Sequence, residues 1–111
     1  MINWRKLAKK IPISIRTSRG ETFQIVFVKD FADGKTLGHT TFQPNQIAIL
    51  MGQSDKMTVI TYLHEVLHAF ADTYGAGITE SQVLVLEKTI EYVLKKGNIF
   101  KETEWKYRNT G

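Results

Sequence analysis

The chain of 111 residues is 42% hydrophobic and 23% charged, the balance of a globular domain, which excludes a disordered or fibrous class. It has no cysteine, which excludes disulfides, thiolate zinc sites and cysteine nucleophiles, and no apolar run approaches the roughly 20 residues of a membrane span. The net charge of +4 conceals a division: residues 1–19 hold six basic and no acidic side chains, residues 95–111 five and two, residues 20–94 four and nine.

Basic residues gathered at the two ends read as solvated termini, because a nucleic-acid binder concentrates them in a stripe over a folded face. Nucleic acid and membrane are therefore not the expected partners. The apolar stretch behind the basic N-terminus is interrupted by Pro12 and Ser14, which is not the form of a signal peptide. A reducing, cytoplasmic setting and a monomer are the default expectations.

Asn3 is placed to cap a short basic helix over residues 4–10, with Trp4, Leu7 and Ala8 on its apolar side and Pro12 as its stop. Residues 11–16 alternate Ile11, Ile13 and Ile15 against Pro12, Ser14 and Arg16, the period of a half-buried strand. Turn-like Ser18-Arg19-Gly20-Glu21 leads to residues 22–29, which set Phe23, Ile25 and Phe27 on one face. These two strands predict a hairpin. Asp33-Gly34 marks a turn, residues 37–42 add a short extended piece, and the segment from Gln46 to Met51 reads as another strand.

Beyond Gly52 the period becomes helical. Ser54 or Asp55 caps a helix over residues 56–74, whose apolar stripe is centred on Leu63, Leu67 and Phe70. Gly75-Ala76-Gly77 stops it. Thr79 and Gln82 have the spacing of a capping box for a second helix, with Val83, Leu86, Ile90, Val93 and Leu94 as its buried stripe and Lys95, Lys96 and Gly97 as its end. The polar tail over residues 101–111 carries Trp105 and Tyr107, expected to pin it to the body. This order predicts a single α+β domain: a short N-terminal helix, a small antiparallel sheet of about three strands, then two helices.

The first long helix carries His64-Glu65-Val66-Leu67-His68, the pattern H-E-x-x-H. A spacing of four sets both imidazoles on one face, one turn apart, close enough to share an ion. Glu65, rotated about 100° from His64, flanks that ion instead of binding it, where a carboxylate can take a proton from a metal-bound water. Asp72 continues the spacing but lies about 12 Å along the axis from His64, which suits an acceptor for the free nitrogen of His68 better than a third ligand. Glu80, Glu87 and Glu91 project to one side of the second helix as ligand candidates. Glu91 can pair with Lys95, Glu80 can serve the helix dipole, and Glu87, nearest the apolar stripe, is slightly favoured by geometry. His39, on the extended piece, and Tyr74, past the second histidine, are weaker candidates for a further ligand or an oxyanion donor.

The segment from His64 to Ile90 resembles the HExxH zincins of the gluzincin kind, and in particular the small ImmA/IrrE-type metallopeptidases and their short phage- and prophage-encoded relatives. In that group the second helix carries Glu-x-x-(Ala/Val)-x-x-apolar, and its glutamate is the third zinc ligand. This sequence reads Glu80-Ser81-Gln82-Val83-Leu84-Val85-Leu86. The stretch Leu37-Gly38-His39-Thr40-Thr41-Phe42, followed by the strand from Gln46, also resembles the group's lead into its active-site helix. The resemblance implies a zinc metallopeptidase with His64, His68 and Glu80 as ligands and Glu65 as general base. A peptide or protein substrate would lie extended along the edge formed by the strand from Gln46 to Met51. The contrasting expectation is a non-catalytic interaction module of the same fold, with a structural metal or none, whose basic ends bind an acidic protein or nucleic acid.

Overall fold

The computed structural model describes residues 2–96; Gly97, Trp105, Tyr107 and the rest of the tail lie outside the described residues. The elements run α1 (Trp4–Lys9), β1 (Ser14–Arg16), β2 (Thr22–Val28), β3 (Gly38–Thr41), β4 (Gln46–Leu50), α2 (Asp55–Thr73) and α3 (Glu80–Lys96), an α+β order. The Asn3 side chain caps α1 by accepting from Lys6 N at 3.0 Å.

The sheet has four strands in the order β1-β2-β4-β3, and it is mixed. β1 and β2 form the expected antiparallel hairpin, and β3 pairs antiparallel with β4. β2 and β4, however, run parallel, with Ile25 opposite Ile47 and Phe27 opposite Ile49. The α+β class holds, while the expected antiparallel sheet of about three strands is corrected to a mixed sheet of four. The connection after β2 carries the chain past the place of β4 to the outer position, and β4 then returns beside β2 in the same direction. The segment from Gln46 is consequently an interior strand, paired on both sides, and not the edge the sequence suggested. The edge next to α2 is β3.

β1 is shorter than the alternation of isoleucines implied. Ile11 and Ile15 pack against the core while Ile13 is 84% exposed. The chain bends at Ile13, after a proline that cannot donate to a ladder, so the regular strand starts only at Ser14.

Phe23, Ile25, Ile47 and Ile49 form the buried face of the sheet, closed by Ala69 of α2 with Tyr62 and Val66 beside it. The α2 side turned to the sheet therefore runs through Tyr62, Glu65, Val66 and Ala69. Leu63, Leu67 and Phe70, the expected centre of the stripe, are only half-buried. α2 rotates this way because it lies over β3 and β4 with one flank and must also meet α1 and α3 with others, so its apolar surface is shared among three neighbours.

α2 starts at Ser54, whose side chain accepts from Met57 N at 3.1 Å. It ends in a Schellman turn at Gly75 (φ 67°), with Gly75 N donating to Asp72 O at 3.0 Å and Ala76 N to Ala71 O at 2.8 Å. Thr79 and Gln82 then form the expected capping box: Gln82 N donates to Thr79 Oγ1 at 3.1 Å and Thr79 N to Gln82 Oε1 at 2.8 Å. In α3 Val83 is fully buried, but Leu86 and Leu94 are exposed and Glu87 is buried in their place. The reason lies on α2, where a histidine waits for that carboxylate.

Candidate metal centre

α2 and α3 form an antiparallel pair in which Lys56 meets Glu91, His64 meets Glu87, and His68 meets Glu80. The two imidazoles stand 5.0 Å apart between ring centroids, as a spacing of four on one helix requires. Glu80 reaches both of them. Its Oε1 lies 2.8 Å from His68 Nε2 and its Oε2 lies 3.1 Å from His64 Nε2. One donor atom each from His64, His68 and Glu80 falls within 4.8 Å of the others, a group that can hold a metal ion. A tetrahedral ion with bonds of about 2.0–2.1 Å sets its ligand atoms about 3.3 Å apart, a separation inside that 4.8 Å limit. Glu80 comes from an exposed first turn, its side chain 70% accessible, which leaves it room to adjust.

Glu87 is 8% exposed and its Oε2 lies 2.9 Å from His64 Nδ1, on the far side of the ring from Glu80. Glu87 therefore stands behind His64 and outside the His64–His68–Glu80 group. Burial pushes the His64 imidazole down, yet the hydrogen bond to Glu87 and the charges of Glu65, Glu80 and Glu87 outweigh it and hold the group above its ordinary 6.5. Protonated, the ring donates to Glu87 through Nδ1 and to Glu80 through Nε2. With Nδ1–H kept on Glu87, the Nε2 lone pair is the one left for a metal.

Glu65 leaves the histidine face and turns toward β3, where it is 7% exposed. Thr40 Oγ1 stands 2.7 Å from its Oε1 and 3.1 Å from its backbone oxygen. Gly38, two residues earlier on the same strand, leaves room for the helix. A Cβ built there would meet Thr61 Cγ2 at 2.5 Å and Glu65 Cγ at 3.1 Å. His64, Glu65, His68 and Glu80 open together into a cleft of about 520 Å³, walled by β3 on one side and the α2–α3 turn on the other.

The remaining candidates are placed differently. Asp72 lines the cleft but makes no hydrogen bond to His68 among the described residues. His39 is exposed at the cleft wall and is not in the ligand group. Tyr74 hydrogen-bonds Ser18 Oγ through its hydroxyl and sits beneath the Arg19 guanidinium, held by the β1–β2 turn and not by the cleft. Glu91 pairs with Lys56 at 3.4 Å instead of Lys95. Thr40 is the contact the sequence did not reveal. A small hydroxyl on an edge strand carries no periodicity of its own, and only the tertiary approach of β3 to α2 gives it a partner.

No helix among the described residues is long and apolar enough to cross a membrane. Comparisons with family models, with curated proteins and with solved structures found no match.

Proposed function

We propose that this chain is a zinc-dependent peptidase. The observation that carries the reading is the convergence of His64 Nε2, His68 Nε2 and a Glu80 oxygen beside the buried carboxylate of Glu65. Two imidazoles and one carboxylate are a donor set suited to zinc, and three protein ligands leave a coordination position for water or substrate. Zinc bound there would supply Lewis acidity to a peptide carbonyl and lower the pKa of a water.

Glu65 accepts one proton from the water as its oxygen attacks the carbonyl carbon, and returns that proton to the amide nitrogen as the C–N bond breaks. The second proton of the water ends on the amine as well, so the products are a carboxylate and an ammonium group. The peptide adds to the free edge of β3. Leu50 N donates to Leu37 O at 2.8 Å, so by alternation Leu37, His39 and Thr41 turn their backbone groups to β4 while Gly38 and Thr40 turn theirs outward. Main-chain pairing of this kind favours an extended peptide over a folded one.

The test is zinc content by plasma mass spectrometry, together with hydrolysis of labelled casein by wild type and Glu65→Gln. Near-stoichiometric zinc in both, with hydrolysis by the wild type alone, is the expected result. A protein that refuses added zinc, or a Glu65→Gln variant that still hydrolyses, would overturn the reading.

A further inference from the structure

The contact between β3 and the base has a consequence for turnover. A free glutamate side chain samples many rotamers, and fixing a long polar side chain costs conformational entropy. Glu65 is fixed in the fold before any substrate arrives. The Thr40 hydroxyl is 2.7 Å from Oε1, and Gly38 presents only backbone to Cγ and Oε2, with a Cβ position 3.1 Å and 3.3 Å from those atoms. One carboxylate oxygen is thus occupied by a donor, and the other is kept against a surface with no side chain.

We propose that Thr40 is a positioning residue for the general base: its hydroxyl holds the Glu65 carboxylate in its working orientation, while its backbone offers the pairing groups for the peptide. The proposal rests on the peptidase reading. The two halves of Thr40 separate cleanly by substitution. Thr40→Val keeps the backbone and the shape but removes the donor, so peptide pairing persists while Glu65 loses its tether. Misplacement of a reacting group by about an ångström can cost a hundredfold in rate, and loss of one tether falls within that limit.

The experiment measures kcat and KM of zinc-loaded wild type, Thr40→Val and Thr40→Ser on a quenched fluorescent peptide chosen from a library cut by the wild type. Zinc affinity is measured in parallel by chelator competition. Thr40→Val is expected to lower kcat tenfold or more with KM and zinc affinity within about twofold, and Thr40→Ser to recover most of the loss. A Thr40→Val enzyme that turns over like wild type, or a serine variant no better than valine, would overturn the proposal. So would a loss of zinc affinity matching the loss of kcat.

A second measurement needs no activity. In metal-free protein, urea unfolding of Thr40→Val, Glu65→Ala and the double variant forms a thermodynamic cycle. Thr40→Val is expected to lower the midpoint less in the Glu65→Ala background than in wild type; strictly additive shifts would remove the contact. Absence of hydrolysis from the zinc-loaded wild type removes the peptidase reading, whereas additivity or an unaltered kcat removes the positioning role alone.

Discussion

Glu80 and Glu87 meet the same imidazole at its two nitrogens, and the chemistry at each differs. At Nε2 a carboxylate oxygen occupies the position a metal would take, and Glu80 belongs to the group that could hold one. At Nδ1 the oxygen of Glu87 accepts a proton that a metal does not displace, which fixes the tautomer and the plane of the ring. Glu80→Gln is therefore expected to weaken zinc binding by a hundredfold or more, since it removes a charged ligand. Glu87→Gln, which can still accept from Nδ1–H through its amide oxygen, is expected to weaken it only about tenfold. Competition against a chelator measures both. If Glu87→Gln releases the metal while Glu80→Gln retains it, the assignment is reversed and Glu80 becomes an acid serving the dipole of α3.

Each element brings its residue to the cleft through a local device, and these devices differ in how plainly they are written. Thr79 touches no ligand, yet its capping box orders the turn that carries Glu80. Thr79→Ala is expected to destabilise the protein by about 1 kcal/mol, seen as a lower melting temperature, and to weaken zinc binding severalfold. Unchanged zinc affinity would show that Glu80 is held by α2 alone. The β2–β3 connection has its own device at Asp33, whose carboxylate accepts from the Thr36 hydroxyl and from the backbone of Thr36 and Lys35, which lowers its pKa to about 2. Because the folded value lies below the ordinary 3.8, the carboxylate's contribution to the turn is full above that pH and is lost as pH falls through about 2. An NMR titration should give that low midpoint, rising toward 3.8 in Thr36→Val. Such caps, turns and helix periods act over three or four residues, and so Asn3, Ser54, Thr79 and the pair His64 and His68 were legible in the chain. The parallel pairing of β2 with β4, the rotation that buries Glu65 and Glu87, and the reach of Thr40 depend on residues 20 or more positions apart. No local period encodes them, and the exposed Ile13 and Leu86 show where the apolar pattern misled for that reason.

Across the whole molecule the core is uneven. The sheet and α2 bury Phe23, Ile47 and Ile49 completely, whereas α3 contributes Val83 at that depth and leaves Leu84, Val85, Leu86, Tyr92 and Leu94 exposed. The contacts that join α3 to α2 include a row of polar ones: Lys56 with Glu91, and the histidines with Glu80 and Glu87. An element with little buried apolar surface opens at lower free energy than the core it rests on. A metal held between α2 and α3 would bind the closed arrangement and not the open one, so it should stabilise α3 first and the whole fold with it. At zinc a hundredfold above its dissociation constant the gain is about 2.7 kcal/mol, which for a domain of this size raises the melting temperature by on the order of 10 °C. Hydrogen exchange should slow on zinc addition more in α3 than in β2 and β4. His64→Ala and His68→Ala should abolish both the slowing and the thermal shift while leaving the sheet's own protection in place, since neither side chain belongs to the buried face of the sheet. If zinc protects the sheet and α3 equally, the two helices open only with the global fold. If it raises the melting temperature of His64→Ala as much as that of the wild type, the ion is bound elsewhere and the His64–His68–Glu80 group is not its site.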